Sequence, residues 1–211
     1  MRRDLFIIAC SLVASAALAQ PLPPRKGVSV QMATSTNSVA VPDADQPDSL
    51  IVAVTRSGSV YLEVTNVTAE ELGTKLGAEL AAKTGRRVYL KGDARAALST
   101  MAEVLNALRA AGVVAPVILT NQEAPVGPGG YLHPYGQEVW LGEPQGAPTS
   151  KSVRIGPAGV ADEQLKARAQ REKLIVLQIE GVAEWGGVVR AADICRGAGA
   201  KVYLSSTVKQ K

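Results

Sequence analysis

The chain of 211 residues has few of the side chains on which catalytic and metal centres usually depend. It contains one histidine, His133, and two cysteines, Cys10 and Cys195. A lone histidine is too little for a histidine-rich metal site and unpromising for a nucleophilic triad. Two cysteines cannot build a small disulfide scaffold. We therefore expect no enzymatic activity, no metal and no cofactor.

Aromatic residues and runs of like charge are also scarce. Aromatic residues make up 4% of the chain and hydrophobic residues 46%, so the core must be built from Val, Leu, Ile and Ala. The formal net charge is +4, and no basic run is longer than pairs such as Arg86-Arg87. Nucleic-acid surfaces usually carry clustered Lys and Arg. We expect no nucleic-acid partner.

Residues 1–20 have the features of an export signal. Arg2 and Arg3 precede an uncharged apolar run, Leu5–Leu18. That run is shorter than the roughly 20 apolar residues that span a bilayer comfortably. Small residues before the junction of Ala19 and Gln20 fit the site that signal peptidase reads. We predict cleavage there and a periplasmic mature protein.

Two other interpretations of this segment remain open. The apolar run could stay uncleaved and anchor the protein in the inner membrane, facing the periplasm, so that the protein contacts the membrane only through this segment. Asp4 would then stand near the start of the anchor. A carboxylate inside a bilayer is usually retained for function, whereas at residue 4 it can lie in the aqueous interface beside Arg2 and Arg3. Alternatively, Cys10 could lie in a lipoprotein signal, although the apolar run before it is short.

The segment from residue 50 to residue 120 alternates between strand and helix patterns. Leu50–Val54 and Val60–Val64 flank a turn that contains Gly58, which predicts a β-hairpin. Thr68 and Glu71 have the spacing of a capping box at the start of a helix. Further apolar patterns predict a strand at 88–90, a second helix over 98–108 and a strand at 117–120. The predicted order is β-β-α-β-α-β.

The same order recurs less clearly from residue 137 to residue 208. Glu138–Leu141 and Ser152–Ile155 are predicted to form a hairpin. Asp162 is expected to cap a helix that ends near residue 172, and a strand at 174–179, a helix along one apolar face and a strand at 201–204 follow. A constant offset of 87 residues superimposes the apolar positions of the two segments; it places Leu98 on Trp185, for example.

These patterns predict an α/β (α+β) fold of two tandem β-β-α-β-α-β domains, each a mixed sheet with two helices, behind the N-terminal apolar segment. The predicted divisions are a signal peptide or anchor at 1–19, a linker at 20–49, a domain at 50–120, a Pro/Gly-rich linker at 121–136 and a second, degenerate domain at 137–208. A single α/β domain with chance periodicity is the alternative.

The first segment resembles the periplasmic domain of the ExbD/TolR family of biopolymer-transport proteins. The similar stretches are Lys26–Met32, Ile51–Leu62, Val67–Leu72, Val88–Asp93 and Val104–Val113. The second segment resembles the family weakly, most clearly at Trp185–Val189. The resemblance implies a relative of the small subunit of proton-driven inner-membrane motors. Members carry a proton-binding Asp near the start of their membrane helix, and Asp4 is the candidate for that role if the segment is not cleaved.

We expect a binding and scaffolding protein of the envelope whose partners are proteins of a transport complex or peptidoglycan, with a homodimer as a further expectation. Strands such as Val117–Thr120 or Val202–Ser205 could add a partner strand. Trp185 is a candidate interface residue. A working motor subunit with an uncleaved anchor, and an exported hydrolase of unrecognised type, are the alternatives.

Overall fold

A computed structural model describes residues 26–122, 134–144, 152–155, 161–179 and 183–206. Within these ranges the chain forms twelve strands and four α-helices. The signal cleavage site at Ala19 and Gln20, the candidate proton carrier Asp4, the lipoprotein candidate Cys10 and the loop residue His133 lie outside the described residues.

The first sheet contains eight of the described strands and has mixed topology. The strands are β1 (Thr34–Ser35), β2 (Val39–Ala40), β3 (Leu50–Val54), β4 (Val60–Leu62), β5 (Thr65–Val67), β6 (Val88–Gly92), β7 (Val117–Gln122) and β8 (Tyr135–Glu138). Their order in the sheet is β2-β8-β7-β6-β3-β4-β5, and β1 also pairs with β7. Strands β3, β6 and β7 are parallel, and the predicted hairpin is confirmed because β3 pairs antiparallel with β4.

Two helices cover one face of this sheet, α1 (Ala69–Ala82) and α2 (Leu98–Ala110). The predicted capping box is present at the start of α1. The backbone N–H of Glu71 donates to Thr68 Oγ1 at 3.1 Å, and the N–H of Thr68 donates to the Glu71 carboxylate at 2.9 Å. The helix buries Leu72 and Leu76, the residues of its predicted apolar stripe.

The second sheet contains four strands, and all of them are parallel. The elements are β9 (Trp140–Leu141), β10 (Ser152–Ile155), α3 (Asp162–Glu172), β11 (Leu174–Ile179), α4 (Trp185–Gly197) and β12 (Lys201–Ser206). The order of the strands in the sheet is β10-β11-β12-β9. Ala161 rather than the predicted Asp162 is the N-cap of α3, and its side chain makes no capping hydrogen bond.

The hairpin predicted for Glu138–Leu141 and Ser152–Ile155 is wrong. Strand β9 pairs with β12 and β10 pairs with β11, in both cases parallel. The burial pattern of a strand shows which face is covered but does not specify its neighbour. The prediction therefore placed the strand at Ser152–Ile155 correctly, but its strand at Glu138–Leu141 is divided between β8 and β9, and the predicted pairing was incorrect.

One continuous stretch links the two sheets. Only Val139 separates β8, which completes the first sheet, from β9, which belongs to the second. The N–H of Val139 donates to the carbonyl of Pro116 at 3.2 Å, and the N–H of Leu141 donates to Val114 at 2.9 Å. Residues 135 and 136, predicted as the end of a linker, are strand residues of the first sheet, and so are 137 and 138, predicted as the start of the second domain.

The stretch before residue 50 also differs from the predicted linker. It contributes β1, β2 and a 3₁₀ helix at Pro42–Asp45. Met32, Val41 and Ala44 are buried there, in a small apolar cluster with Ile51, Tyr89 and Val117. That cluster covers the face of the first sheet opposite the helices. A sheet whose second face is apolar needs such a cover.

The described chain has two halves: the first sheet with α1 and α2, and the second sheet with α3 and α4. The main apolar cluster contains side chains from both. Leu90 and Leu105 belong to it from the first half, and Leu177, Trp185 and Val189 from the second. The two sheets are thus joined by a shared core as well as by the β8–β9 stretch. Whether residues 50–120 and 137–208 fold independently stays a prediction.

Two strands expected to receive a partner strand are not at sheet edges. Strand β7 lies between β6 and β8, and β12 lies between β11 and β9. Val117 and Ile118 pair with both β6 and β8, and Tyr203 and Leu204 pair with both β11 and β9. Neither strand is an edge strand, so the expectation of strand addition at Val117–Thr120 or Val202–Ser205 is wrong. The described sheets end instead at β2 and β5 in the first and at β10 and β9 in the second.

Candidate functional site

An open groove of about 580 Å³ lies between the β5 edge of the first sheet and helix α1. Its walls combine apolar and charged side chains. The lining residues are Lys26, Pro47, Leu50, Leu62, Glu63, Thr65, Val67, Lys75, Ala78, Glu79 and Arg86. We call these residues the β5 groove.

Four of the five charged side chains that line the β5 groove pair with one another, and the fifth, Lys75, pairs with Glu71 outside it. Lys26 Nζ lies 3.4 Å from Glu63 Oε1 and donates to the carbonyl of Ser49 at 2.6 Å. Arg86 Nη1 donates to Glu79 Oε2, also at 2.6 Å. Partly exposed pairs of this kind contribute little to stability. The lining thus carries three basic and two acidic side chains, so charges of both signs lie on the rim.

The turn between β4 and β5 presents an exposed apolar side chain beside this groove. Val64 is 74% exposed and stands between the groove residues Glu63 and Thr65. Glu63 has φ of +58°, which residues other than glycine adopt uncommonly. Ile51 holds this turn, because the N–H of Glu63 donates to its carbonyl at 2.8 Å and its N–H donates to the Glu63 carboxylate at 3.0 Å.

The β5 groove has the lining of a binding surface. The β5 groove combines apolar walls, an open sheet edge and an anchored turn, which are features of sites that take an extended segment. It contains no histidine, cysteine, serine or tyrosine that could act as a nucleophile or base. In the described ranges, no group of three His, Cys, Asp or Glu side chains has the arrangement of a metal site.

Asp93 organises the chain at the end of β6. Its buried carboxylate accepts hydrogen bonds from Arg95 Nε and Nη2, both at 2.9 Å, and from the backbone N–H of Gln31 at 3.1 Å. The hydrogen bond from the Arg95 side chain holds the pKa of Asp93 well below its usual range. Asp93 therefore ties residues 26–33 to the first sheet as a structural anion.

Asp193 on α4 is a second buried carboxylate, and it joins the two halves. It accepts hydrogen bonds from the backbone N–H groups of Thr36 and Asn37 at 3.0 and 2.8 Å, and from Gln137 Nε2 at 3.1 Å. Sequence reasoning missed this residue. The available signal was an Asp in mid-helix beside an apolar stripe, a position that Asp occupies poorly unless it has partners.

The candidate interface residue Trp185 is fully buried. Its ring lies against Gly92, where an added Cβ would approach Trp185 Nε1 to 2.5 Å. Trp185 therefore lies at a contact between the two halves of one chain.

Burial raises the pKa of the Cys195 thiol to about 12, so this cysteine is an unreactive part of the core.

Trp140 on β9 is only half-buried. Lys201 Nζ lies 3.9 Å from the centroid of its ring, and Tyr203 packs beside it with ring centroids 5.9 Å apart. The three side chains form a small exposed cluster on the second sheet.

Comparison with known proteins assigns the first part of the chain to a family. The family model described as Biopolymer transport protein ExbD/TolR matches residues 5–123, more than half of the chain. No curated protein matches the chain. Among the residues that the structure describes, which begin at Lys26, no helix has the length and apolar character needed to cross a membrane.

Proposed function

Because the chain belongs to the ExbD/TolR family of biopolymer transport proteins, we propose that it is a non-catalytic envelope protein of a proton-driven transport complex that acts by contact. Members of this family are envelope-associated subunits of multiprotein transport complexes rather than enzymes. In this proposal the described part of the chain stands in the periplasm and binds a protein partner of the complex.

The observation that carries the proposal is the β5 groove. An extended partner segment can add to the open edge of β5 and place alternate side chains toward Leu62 and Val67. Backbone hydrogen bonds would supply affinity, and the apolar walls would select side chains. This form of binding needs no reactive side chain.

Site-specific photo-crosslinking in the native envelope tests this contact. A photoreactive residue at Thr65, which lines the β5 groove, should give a defined adduct with one envelope protein. The matched control is Ser57, an exposed residue at the opposite end of the β3–β4 hairpin. Equal adducts from both positions would show that the groove has no special role.

A substitution that fills the β5 groove provides a second test of binding at this site. Ala78 is an exposed groove residue on α1, so Ala78→Arg should fill the groove without disturbing the core and should remove the Thr65 adduct. Ala81→Arg changes an exposed alanine of the same helix that does not line the groove, and should leave the adduct intact. Retention of the adduct in both variants would contradict binding in the groove.

A working motor subunit with an uncleaved anchor is the second candidate, and one observation favours it. The family match covers residues 5–123 and therefore includes the apolar run Leu5–Leu18, although it begins one residue after Asp4. Asp4 stands directly before that run. The intact mass of the protein recovered from envelope membranes separates the two forms, since cleavage after Ala19 removes 19 residues.

If residues 1–19 are retained, Asp4→Asn should abolish transport without changing abundance. If they are removed, Asp4→Asn should have no effect on export or function. Cleavage together with normal function of Asp4→Asn would exclude the anchored motor subunit.

A further inference from the structure

We infer that the two halves of this chain form an internal pseudo-dimer, related by an approximate two-fold axis between Ala97 and Glu184. In this arrangement the surface at residues 94–98 is filled by residues 183–186 of the same chain and is closed to a second copy. The inference concerns the architecture and does not depend on which partner binds the β5 groove.

The first support is a reciprocal pair of backbone hydrogen bonds. The N–H of Leu98 donates to the carbonyl of Ala183 at 3.1 Å, and the N–H of Trp185 donates to the carbonyl of Ala96 at 2.9 Å. Leu98 and Trp185 are 87 residues apart, and so are Ala96 and Ala183. Between them, Ala97 and Glu184, also 87 apart, form an antiparallel bridge.

An antiparallel bridge between equivalent residues has a local two-fold axis. Each bond of the pair becomes the other when the halves are exchanged, as at a self-complementary dimer contact. Any antiparallel bridge keeps one offset within itself, but here that offset is the same 87 residues that superimposes the apolar positions of the two segments.

The second support is that the same offset relates the helices on either side of this axis. Helix α2 runs from Leu98 to Ala110 and α4 from Trp185 to Gly197, so both ends differ by 87 residues. Their C-terminal turns also match. The N–H of Val113 donates to Leu108 at 3.0 Å, and the N–H of Ala200 donates to Cys195 at 2.9 Å.

The buried faces of the two helices correspond as well. Every buried position of α2 from Leu98 to Leu108 has a buried counterpart 87 residues later in α4. These pairs are Leu98 and Trp185, Met101 and Val188, Ala102 and Val189, Val104 and Ala191, Leu105 and Ala192, and Leu108 and Cys195. All twelve belong to the one main apolar cluster.

Polar side chains at equivalent positions connect each helix to the other half. Asn106 on α2 accepts a hydrogen bond from Ser206 of β12 at 2.7 Å. Asp193, 87 residues later on α4, binds the turn at Thr36 and Asn37 in the first half. The contact therefore extends along both helices.

Differences between the halves explain why the contact selects the second half. Gly186 lies against Ala94, where an added Cβ would be 3.1 Å from the Ala94 carbonyl oxygen. The residue of the first half at the equivalent position is Ser99. A first half paired with another first half would place the Cβ of Ser99 in that narrow space, and it would also lose the packing of Trp185 on Gly92.

A disulfide across the axis tests the inference in the full-length chain. Ala97 and Glu184 are exposed and form the non-hydrogen-bonded pair of the bridge, whose Cα atoms are usually about 4.5 Å apart. That separation falls within the disulfide range of about 4.4–6.8 Å. In a Cys10→Ser background, Ala97→Cys with Glu184→Cys should oxidise to a link within one chain.

The expected product migrates as a compact monomer in non-reducing electrophoresis, and reduction removes its shift. The single variants Ala97→Cys and Glu184→Cys should give no disulfide dimer, because neither surface meets another copy.

Two outcomes would overturn the inference. A disulfide dimer from Ala97→Cys alone would show that two copies meet at this surface about a true two-fold axis. Dimers from the double variant, with no link inside one chain, would show that residues 183–186 fill the surface of a neighbouring copy.

Discussion

Removing the Trp185 ring should weaken the packing of both halves together. The side chain is fully buried in the cluster that both halves share. A buried indole of roughly 200 Å² at about 25 cal/mol per Å² corresponds to about 5 kcal/mol of apolar transfer free energy. Nε1 of Trp185 has no hydrogen-bond partner in the described structure, which offsets about 1 kcal/mol of that gain. We expect Trp185→Ala to lower the free energy of unfolding by about 4 kcal/mol.

Urea unfolding followed by far-UV circular dichroism measures this loss. Fluorescence in a Trp140→Phe background follows Trp185 alone, because the chain has two tryptophans. If the shared core unfolds as one unit, the two signals should coincide in a single transition. Two separate transitions would instead support independently folding halves.

Two further variants help to interpret the loss of unfolding free energy in Trp185→Ala. Trp185→Phe removes the unpaired N–H and keeps most of the ring, so its loss should be about 1 kcal/mol. Trp140→Ala is the matched control: it removes a half-buried ring that Lys201 covers, and should also cost about 1 kcal/mol. If Trp185→Ala costs no more than Trp140→Ala, the reasoning about the shared core is refuted.

Two other predictions concern the first half. The pKa of Asp93 is lowered by Arg95 in the folded state, so its contribution to stability is present above about pH 4 and is lost as pH falls below it. Asp93→Asn should therefore lower the melting temperature at pH 7, with a difference from wild type that narrows between pH 4 and pH 2; a constant difference would contradict this. Leu76→Asp should unfold the first half, since an unpaired buried carboxylate costs several kcal/mol, whereas Thr74→Asp at an exposed position of the same helix should be mild. Equal circular dichroism melting curves for these two variants would show that Leu76 does not lie on the buried face of α1.

Local signals in the sequence predicted much of the secondary structure. The capping box of Thr68 and Glu71 and the stripe of Leu72 and Leu76 are readable because a helix repeats every 3.6 residues and its first turn needs capping. The mixed α/β class and the β3–β4 hairpin follow from the same local patterns.

The β5 groove was not predictable in the same way. Its walls come from residues as far apart as Lys26 and Arg86, which meet only when α1 packs on the sheet. The sequence placed candidate binding strands at β7 and β12, and only the pairing of whole strands shows that these are interior. Edge position is a property of the sheet and not of a strand.

The sequence by itself determined the four described helices, strands such as β3, β6 and β11, the family and the offset of 87 residues, because each depends on local or repeated patterns. Only the tertiary structure decided that β9 and β10 lie in a parallel sheet, that residues 34–45 cover the first sheet, and that Asp193 binds the turn at Asn37. These contacts join residues distant in sequence, and many chain segments can satisfy the same burial pattern. The packing of the whole chain selects among those segments, because each buried polar group needs a hydrogen-bond partner and each apolar face needs a cover.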